Sequence, residues 1–185
     1  NWNQGHGGRF RYAISWAPDG SCLAYHAGLD NGNNAIFLYQ MESGQSHQVT
    51  SGFYNDLRPA FSEDGKHLFF LTDRSFSSVY SDMDITWVYP NSTQIAAVGL
   101  TTGEKSLMAP KNDAVEIADE KPKAKEEKKD TTDAPMTIDL EGFEARLAIL
   151  PPEAGNIVDL MPFKGKLVYL RFPNSGSGDR SAKLV

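Results

Sequence analysis

Chemistry needs reactive side chains at particular spacings, and this sequence offers few of them. Its four histidines, His6, His26, His47 and His67, stand singly without metal-ligand spacing, and no H-E-x-x-H occurs. The single cysteine, Cys22, excludes an internal disulfide framework and a multi-cysteine zinc site. It is predicted to be a small strand residue. No G-x-S-x-G nucleophile elbow is present, and Gly176-Ser177-Gly178 suits a turn. Gly103-Glu104-Lys105-Ser106 lacks the spacing of a phosphate loop. Gly5-His6-Gly7-Gly8 has neither the strand before it nor the helix after it that a dinucleotide site requires. Asp30-Asn31-Gly32-Asn33-Asn34 places its glycine outside the spacing of a helical calcium loop, so a polar turn is expected. Asp82 and Asp84 are expected to be solvated loop carboxylates, and the sequon Asn91-Ser92-Thr93 matters only in a eukaryotic secretory setting. The expectation is no catalytic residue, no metal site and no cofactor within this chain.

The elements that would carry any such residues are strands. The 185 residues are 40% hydrophobic, 11% aromatic and 23% charged, an ordinary globular composition. A net charge of −6 argues against nucleic acid as a partner. The longest apolar runs, such as Leu68-Phe69-Phe70-Leu71, are far below the ~20 residues of a membrane span. Ser15-Trp16-Ala17-Pro18-Asp19-Gly20-Ser21-Cys22-Leu23-Ala24-Tyr25 repeats as Ala60-Phe61-Ser62-Glu63-Asp64-Gly65-Lys66-His67-Leu68-Phe69-Phe70, with the glycines 45 positions apart. A weaker copy, Pro162-Phe163-Lys164-Gly165-Lys166-Leu167-Val168-Tyr169, is one residue shorter after its glycine. Each copy is an apolar run, a turn and a second apolar run, the pattern of a hairpin. Residues 35–41 and 47–50 supply a third and a fourth strand. Four antiparallel strands every 45 residues match a β-propeller blade.

The predicted fold is therefore all-β, a sector of a β-propeller. Blades occupy 1–110, the first at about 12–50 and the second beginning at about 58. The stretch 111–135 holds six lysines and eight acidic residues without an aromatic, and it is expected to be a mobile charged insert. Residues 136–185 end the second blade, with 146–150 as its last strand, and start a third. The 160 residues outside the insert amount to about 3.6 repeats, too few to close a ring of 4–8 blades. The chain is thus expected to be a fragment of a larger multidomain protein.

In an up-and-down meander alternate connections share a face. One face carries 51–57 and the long connection 73–93; the other carries the Pro-Asp-Gly turns and the insert. The first is the candidate binding face for a peptide or a neighbouring domain, through Phe53, Tyr54, Asp56, Asp73, Arg74, Phe76, Tyr80, Trp87 and Tyr89. The alternative is that these aromatics pack the connection onto its own blade.

Several stretches resemble the propeller region of bacterial tricorn proteases and their homologues. The most specific is 53–76, from Phe53-Tyr54-Asn55-Asp56-Leu57-Arg58-Pro59 to Asp73-Arg74-Ser75-Phe76. Tyr89-Pro90-Asn91-Ser92-Thr93, the Lys/Glu-rich insert, Ile138-Asp139-Leu140-Glu141-Gly142-Phe143-Glu144 and Leu150-Pro151-Pro152-Glu153-Ala154-Gly155-Asn156 are similar to the same family. The resemblance implies a large serine protease acting on oligopeptides, whose propellers filter or channel peptides. PDZ-like and catalytic domains would lie outside this chain, and the full-length protein would assemble as a homo-oligomer. None of the family's catalytic residues has a matching segment here. A protein-binding propeller of the Tol-system type and the gating propeller of a prolyl-oligopeptidase-like enzyme share the Pro-Asp-Gly hairpins and stay as alternatives. A periplasmic or exported location is favoured over the cytoplasm. Limited proteolysis is expected to cut first within 111–135; protection there with early cleavage at 73–93 would contradict this assignment of order.

Overall fold

A computed structural model describes residues 13–110 and 136–185. The charged stretch 111–135 lies outside the described residues. The first sheet is a four-stranded antiparallel meander, β1 (Ile14–Trp16), β2 (Cys22–Gly28), β3 (Asn34–Gln40) and β4 (Gln45–Gln48), in sequential order. The second sheet begins with β5 (Asp56–Phe61) and β6 (His67–Thr72). After these the chain leaves the sheet to form a separate two-stranded ribbon, β7 (Val79–Ser81) and β8 (Thr86–Val88). It then returns as β9 (Gln94–Gly99) and, beyond the charged stretch, closes the sheet with β10 (Leu147–Ile149). The third sheet is β11 (Asn156–Phe163), β12 (Lys166–Phe172) and β13 (Lys183–Leu184). Among the described residues no helix is long and apolar enough to cross a membrane.

The repeated turns are built alike. Gly20 donates its N–H to Ala17 and Gly65 to Ser62, while Ala17 and Ser62 donate to the carbonyls of Cys22 and His67. Gly20, Gly65 and Gly165 all take a left-handed backbone, with φ of +73°, +66° and +72°, which only glycine adopts at little cost. The departure at Lys164-Gly165 thus leaves the hairpin intact, with Phe163 paired to Lys166.

Burial follows position in the stack. β6 is buried at every residue because it lies inside its sheet and that sheet lies between two others. Cys22, Ala24, Ile36 and Leu38 of the first sheet pack against Phe61, Leu68, Phe70, Ala96 and Val98 of the second. A second cluster joins Leu71 and Ile95 to Ile157 and Tyr169 of the third sheet. The sequence predicts 73–93 as one long loop; the ribbon inside it went unrecognised because three-residue strands are too short for alternation to show.

The connection 136–146 does more than return the chain. Met136 donates its N–H to the Asp19 carboxylate at the first hairpin turn. Phe143, 2% exposed, fills the core between the first two sheets, and a 3-10 turn (Glu144–Arg146) leads into β10. Phe143→Ala is expected to cost about 3–5 kcal/mol, the range for emptying a buried aromatic site. Phe53→Ala, at an exposed position, should stay within about 0.5 kcal/mol. Denaturant unfolding of both variants checks this, and equal effects would refute the assignment.

Candidate functional site

The connections 49–55 and 73–93 do meet at one end of the sheets. Asn55 donates to Asp73 at 3.4 Å, and the Thr93 hydroxyl donates to the other Asp73 oxygen at 3.2 Å. The nine candidate residues divide there into an internal group and an exposed group.

Asp56 is fully buried. One oxygen accepts from the Thr72 hydroxyl at 2.6 Å, and the other lies 3.2 Å from the Arg74 guanidinium. Thr50 adds a further side-chain hydrogen bond. The same Arg74 nitrogen reaches Glu144 at 2.7 Å, and the guanidinium lies over the Tyr54 ring, 4.4 Å from its centroid. Glu144 in turn accepts from the Ser51 N–H at 2.8 Å and from the Ser51 hydroxyl at 3.2 Å. Asp56, Arg74, Tyr54 and Asp73 thus form a polar clamp at the junction of the first two blades. Asp56 spends its charge on Arg74, and Arg74 shares its own between Asp56 and Glu144.

Burial pushes the Asp56 carboxyl up, and the bonds from Thr72, Arg74 and Thr50 pull it only part of the way back. Glu144 settles the other way: burial would raise it, but the bonds from Arg74 and Ser51 together hold it below the ordinary glutamate value. Sequence reasoning missed Glu144 as a partner because it lies 70 positions from Arg74, across the charged stretch, with no pattern linking the two.

The other five side chains face solvent. Phe53 is 76% exposed, edge-on to Tyr54 at 5.0 Å. Phe76 and Tyr89 pair at 5.3 Å at the base of the ribbon. Tyr80 and Trp87 are directly opposite in the ribbon register and pack at 5.3 Å, although Trp87 stays 61% exposed. Met83 and Ile85 are exposed at the ribbon tip beside Asp82 and Asp84. The aromatics therefore pack on one another rather than onto the blade. Cys22 offers no nucleophile, since burial pushes its thiol up to about 11. Among the described residues no group of three His, Cys, Asp or Glu could hold a metal ion. What this end presents to solvent is an aromatic, apolar surface.

Two consecutive four-stranded meanders and a three-stranded sheet packed face to face, with β5 against β1 and β11, define a sector of a β-propeller. The chain belongs to the family of the tricorn protease second beta propeller domain, matched over residues 7–184. Of the three propeller classes open from the sequence, this selects the tricorn one. Tricorn protease homologue 1 of Streptomyces coelicolor is 29% identical over 163 residues, covering 88% of this chain and 15% of that protein. Tricorn protease homologue 2 of the same organism is 27% identical over 169 residues, covering 89% and 14%. The crystal structure of the tricorn protease shares the fold, with a TM-score of 0.67 at 17% identity over 92% of this chain and 16% of that one. The chain thus spans about a seventh of the length of these curated relatives.

Glu144→Gln is expected to lower stability at neutral pH by about 1.5–3 kcal/mol, the worth of a hydrogen bond to a charged group. Glu144 has a lower pKa folded than unfolded, so its stabilisation is full above the unfolded value and is lost as pH falls through the folded one. The gap between wild type and variant should therefore close in acid. Asp56 acts in the opposite sense, since stability tied to its raised pKa is lost as pH rises through the folded value. Denaturant midpoints measured against pH test this; a gap constant down to the acid limit would contradict the role given to Glu144.

Proposed function

We propose that this part of the propeller filters or channels oligopeptides on their way to a serine protease domain that lies outside these residues. The observation that carries the reading is the aromatic ribbon, exposed on both faces yet rooted in a clamp of buried charge. A contact surface needs apolar and aromatic area in water, and it needs a fixed base so that ordering is not charged against each binding event. Phe53, Phe76, Tyr80, Trp87 and Tyr89 would touch the peptide, while Tyr54, Asp56, Asp73 and Arg74 hold the elements that carry them. The family membership supports the assignment of catalysis to other domains, PDZ-like and protease domains of the same protein, in a homo-oligomeric assembly.

The reading separates long substrates from short ones. In the full-length protein, Tyr80→Ala combined with Trp87→Ala should raise KM for a ten-residue peptide several-fold, the loss of one aromatic contact being about 0.5–1.5 kcal/mol. A tripeptide substrate, too short to bridge from the ribbon to the chemistry, should show unchanged kcat/KM. Equal effects on both substrates, or no effect on either, would reject the filtering role.

A further inference from the structure

We propose that the ribbon joins two copies of this protein, the free edge of β7 pairing antiparallel with the β7 edge of a second copy. Among the described residues β7 pairs with β8 alone, so its other edge has no strand beside it. An exposed edge is a template for another chain, and proteins ordinarily blunt it with proline, charge or a bulge. β8 has such a stop in Pro90, two positions beyond its last residue. On the β7 side, Ser75-Phe76-Ser77-Ser78-Val79-Tyr80-Ser81 carries no proline and no charge. The edge of β7 is thus left open to pairing.

The exposed area matches what a stable pair of copies needs. Met83 is 97% exposed and Ile85 77%, and Phe76, Val79, Tyr80, Trp87, Val88 and Tyr89 are exposed as well. Together these side chains leave apolar area on the order of 1,000 Å² in water, taking 150–250 Å² for a whole aromatic. The largest patch on a monomer is about 300–600 Å², whereas one half of a standard interface takes ~800 Å².

Ile85 is a second sign. It ends the turn between β7 and β8 with φ at +56°. Glycine or asparagine ordinarily fills a left-handed position in a hairpin turn, and a β-branched residue there is strained. In a single copy that strain gains nothing, because the side chain it displays lies in water. An apolar contact from a second molecule gives the exposed isoleucine its use.

The ribbon is also complementary to itself. Antiparallel pairing of a strand with its own copy obeys a two-fold axis, placed here at Tyr80, the centre of β7. The tip of each ribbon then lies beside the base of the other, which brings Met83 and Ile85 to the Phe76–Tyr89 pair, a thioether against aromatic rings. The two tips point apart, so Asp82 and Asp84 of one copy stay clear of those of the other. The same carboxylates oppose burial of the tip in lipid. Two marginal two-stranded ribbons become one four-stranded sheet, with the Tyr80–Trp87 pairs of both copies in a row on one face. That face stays open to water, so the inference does not rest on the filtering role.

Disulfide trapping in the full-length protein is the test. Residues directly opposite in an antiparallel pair have Cα atoms about 4.5–5.5 Å apart, within reach of a disulfide. Tyr80→Cys is therefore expected to give, under mild oxidation, a dimer linked through position 80 of both copies, identified by mass spectrometry of the unreduced digest. Trp87→Cys is no less exposed, but it lies about 14 Å from its counterpart, three strand spacings away, and should link at least tenfold less. Added to Tyr80→Cys, Val79→Lys should cut the yield several-fold by placing a charge on the paired edge. Ile85→Gly, which relieves the strained turn, should cut it as well. All four positions are exposed, so these variants keep the fold, which circular dichroism verifies. Equal yields at positions 80 and 87 overturn the proposal, as do yields that neither Val79→Lys nor Ile85→Gly moves. Absence of a link at position 80 also overturns it, whether another domain of the same protein or a membrane covers the ribbon.

Discussion

A carboxylate with no exposure to water is expensive unless every oxygen is paired, and Asp56 is such a group. Its partners come from separate stretches of chain: Thr50 at the end of the first blade, Thr72 at the end of β6, and Arg74 beyond it. Thr50 also accepts the Ile36 N–H from β3, and Glu144 brings the connection before β10 to the far side of Arg74. Satisfying one charge thus requires Thr50 and the stretch 72–74 to be in place together, with β3 and the connection before β10 held to the same cluster through Thr50 and Arg74. Breaking such a pair by removing one partner is costly, since the other charge is left buried. This couples the blades more tightly than their apolar contact alone. It also sets where the chain leaves β6, and with it the base of the ribbon.

The first strands of the blades show a second coupling. β5 is interrupted by a bulge between Leu57 and Ala60, and β11 by one between Val158 and Leu160. Each bulge puts a non-glycine residue in the left-handed region, Arg58 at φ 53° and Asp159 at φ 56°, a conformation that costs about 1–2 kcal/mol per residue. The two side chains form an ion pair between the second and third blades. The Arg58 N–H points at His26 Nδ1 of the first blade, 3.5 Å away. Burial first, and then the Arg58 charge, push the His26 imidazole down, which keeps it neutral and able to accept. A contact chain therefore runs through all three blades. Pro59, which lacks an N–H, sits in the bulge, where a ladder hydrogen bond is already missing.

Local chemistry made the hairpins legible in the sequence. Pro-Asp-Gly sets its own turn, and the runs beside it alternate or stay apolar according to their place in the stack. That was enough to locate β1, β2, β3, β5 and β6, to assign 146–150 to the edge of the second blade, and to place 51–57 beside 73–93. The clamp was not legible, because ion pairing between Arg74 and Glu144 depends on where a long connection returns. The ribbon was hidden for a different reason: its strands are three residues each and apolar on both faces, so no face is marked as buried. For the same reason the sequence could select the aromatic residues of 73–93 but could not separate those that hold the structure from those that meet solvent.

That separation bears on how the proposed contact surface would recognise a peptide. A two-stranded ribbon is marginal by itself in water, and this one gains support from its cross-strand Tyr80–Trp87 pair and from the fixed base at Asp73 and Arg74. Tyrosine and tryptophan have two side-chain torsions each, so they provide large contact area with little entropy to lose on binding. Their rings accept many apolar partners, whereas a buried array of paired charges would demand one. Keeping Asp56 and Arg74 inside the clamp and leaving the aromatics outside therefore favours breadth over sequence selectivity. A propeller that handled diverse peptides would need that division, with recognition of a particular sequence left to a site where polar groups are buried and unpaired.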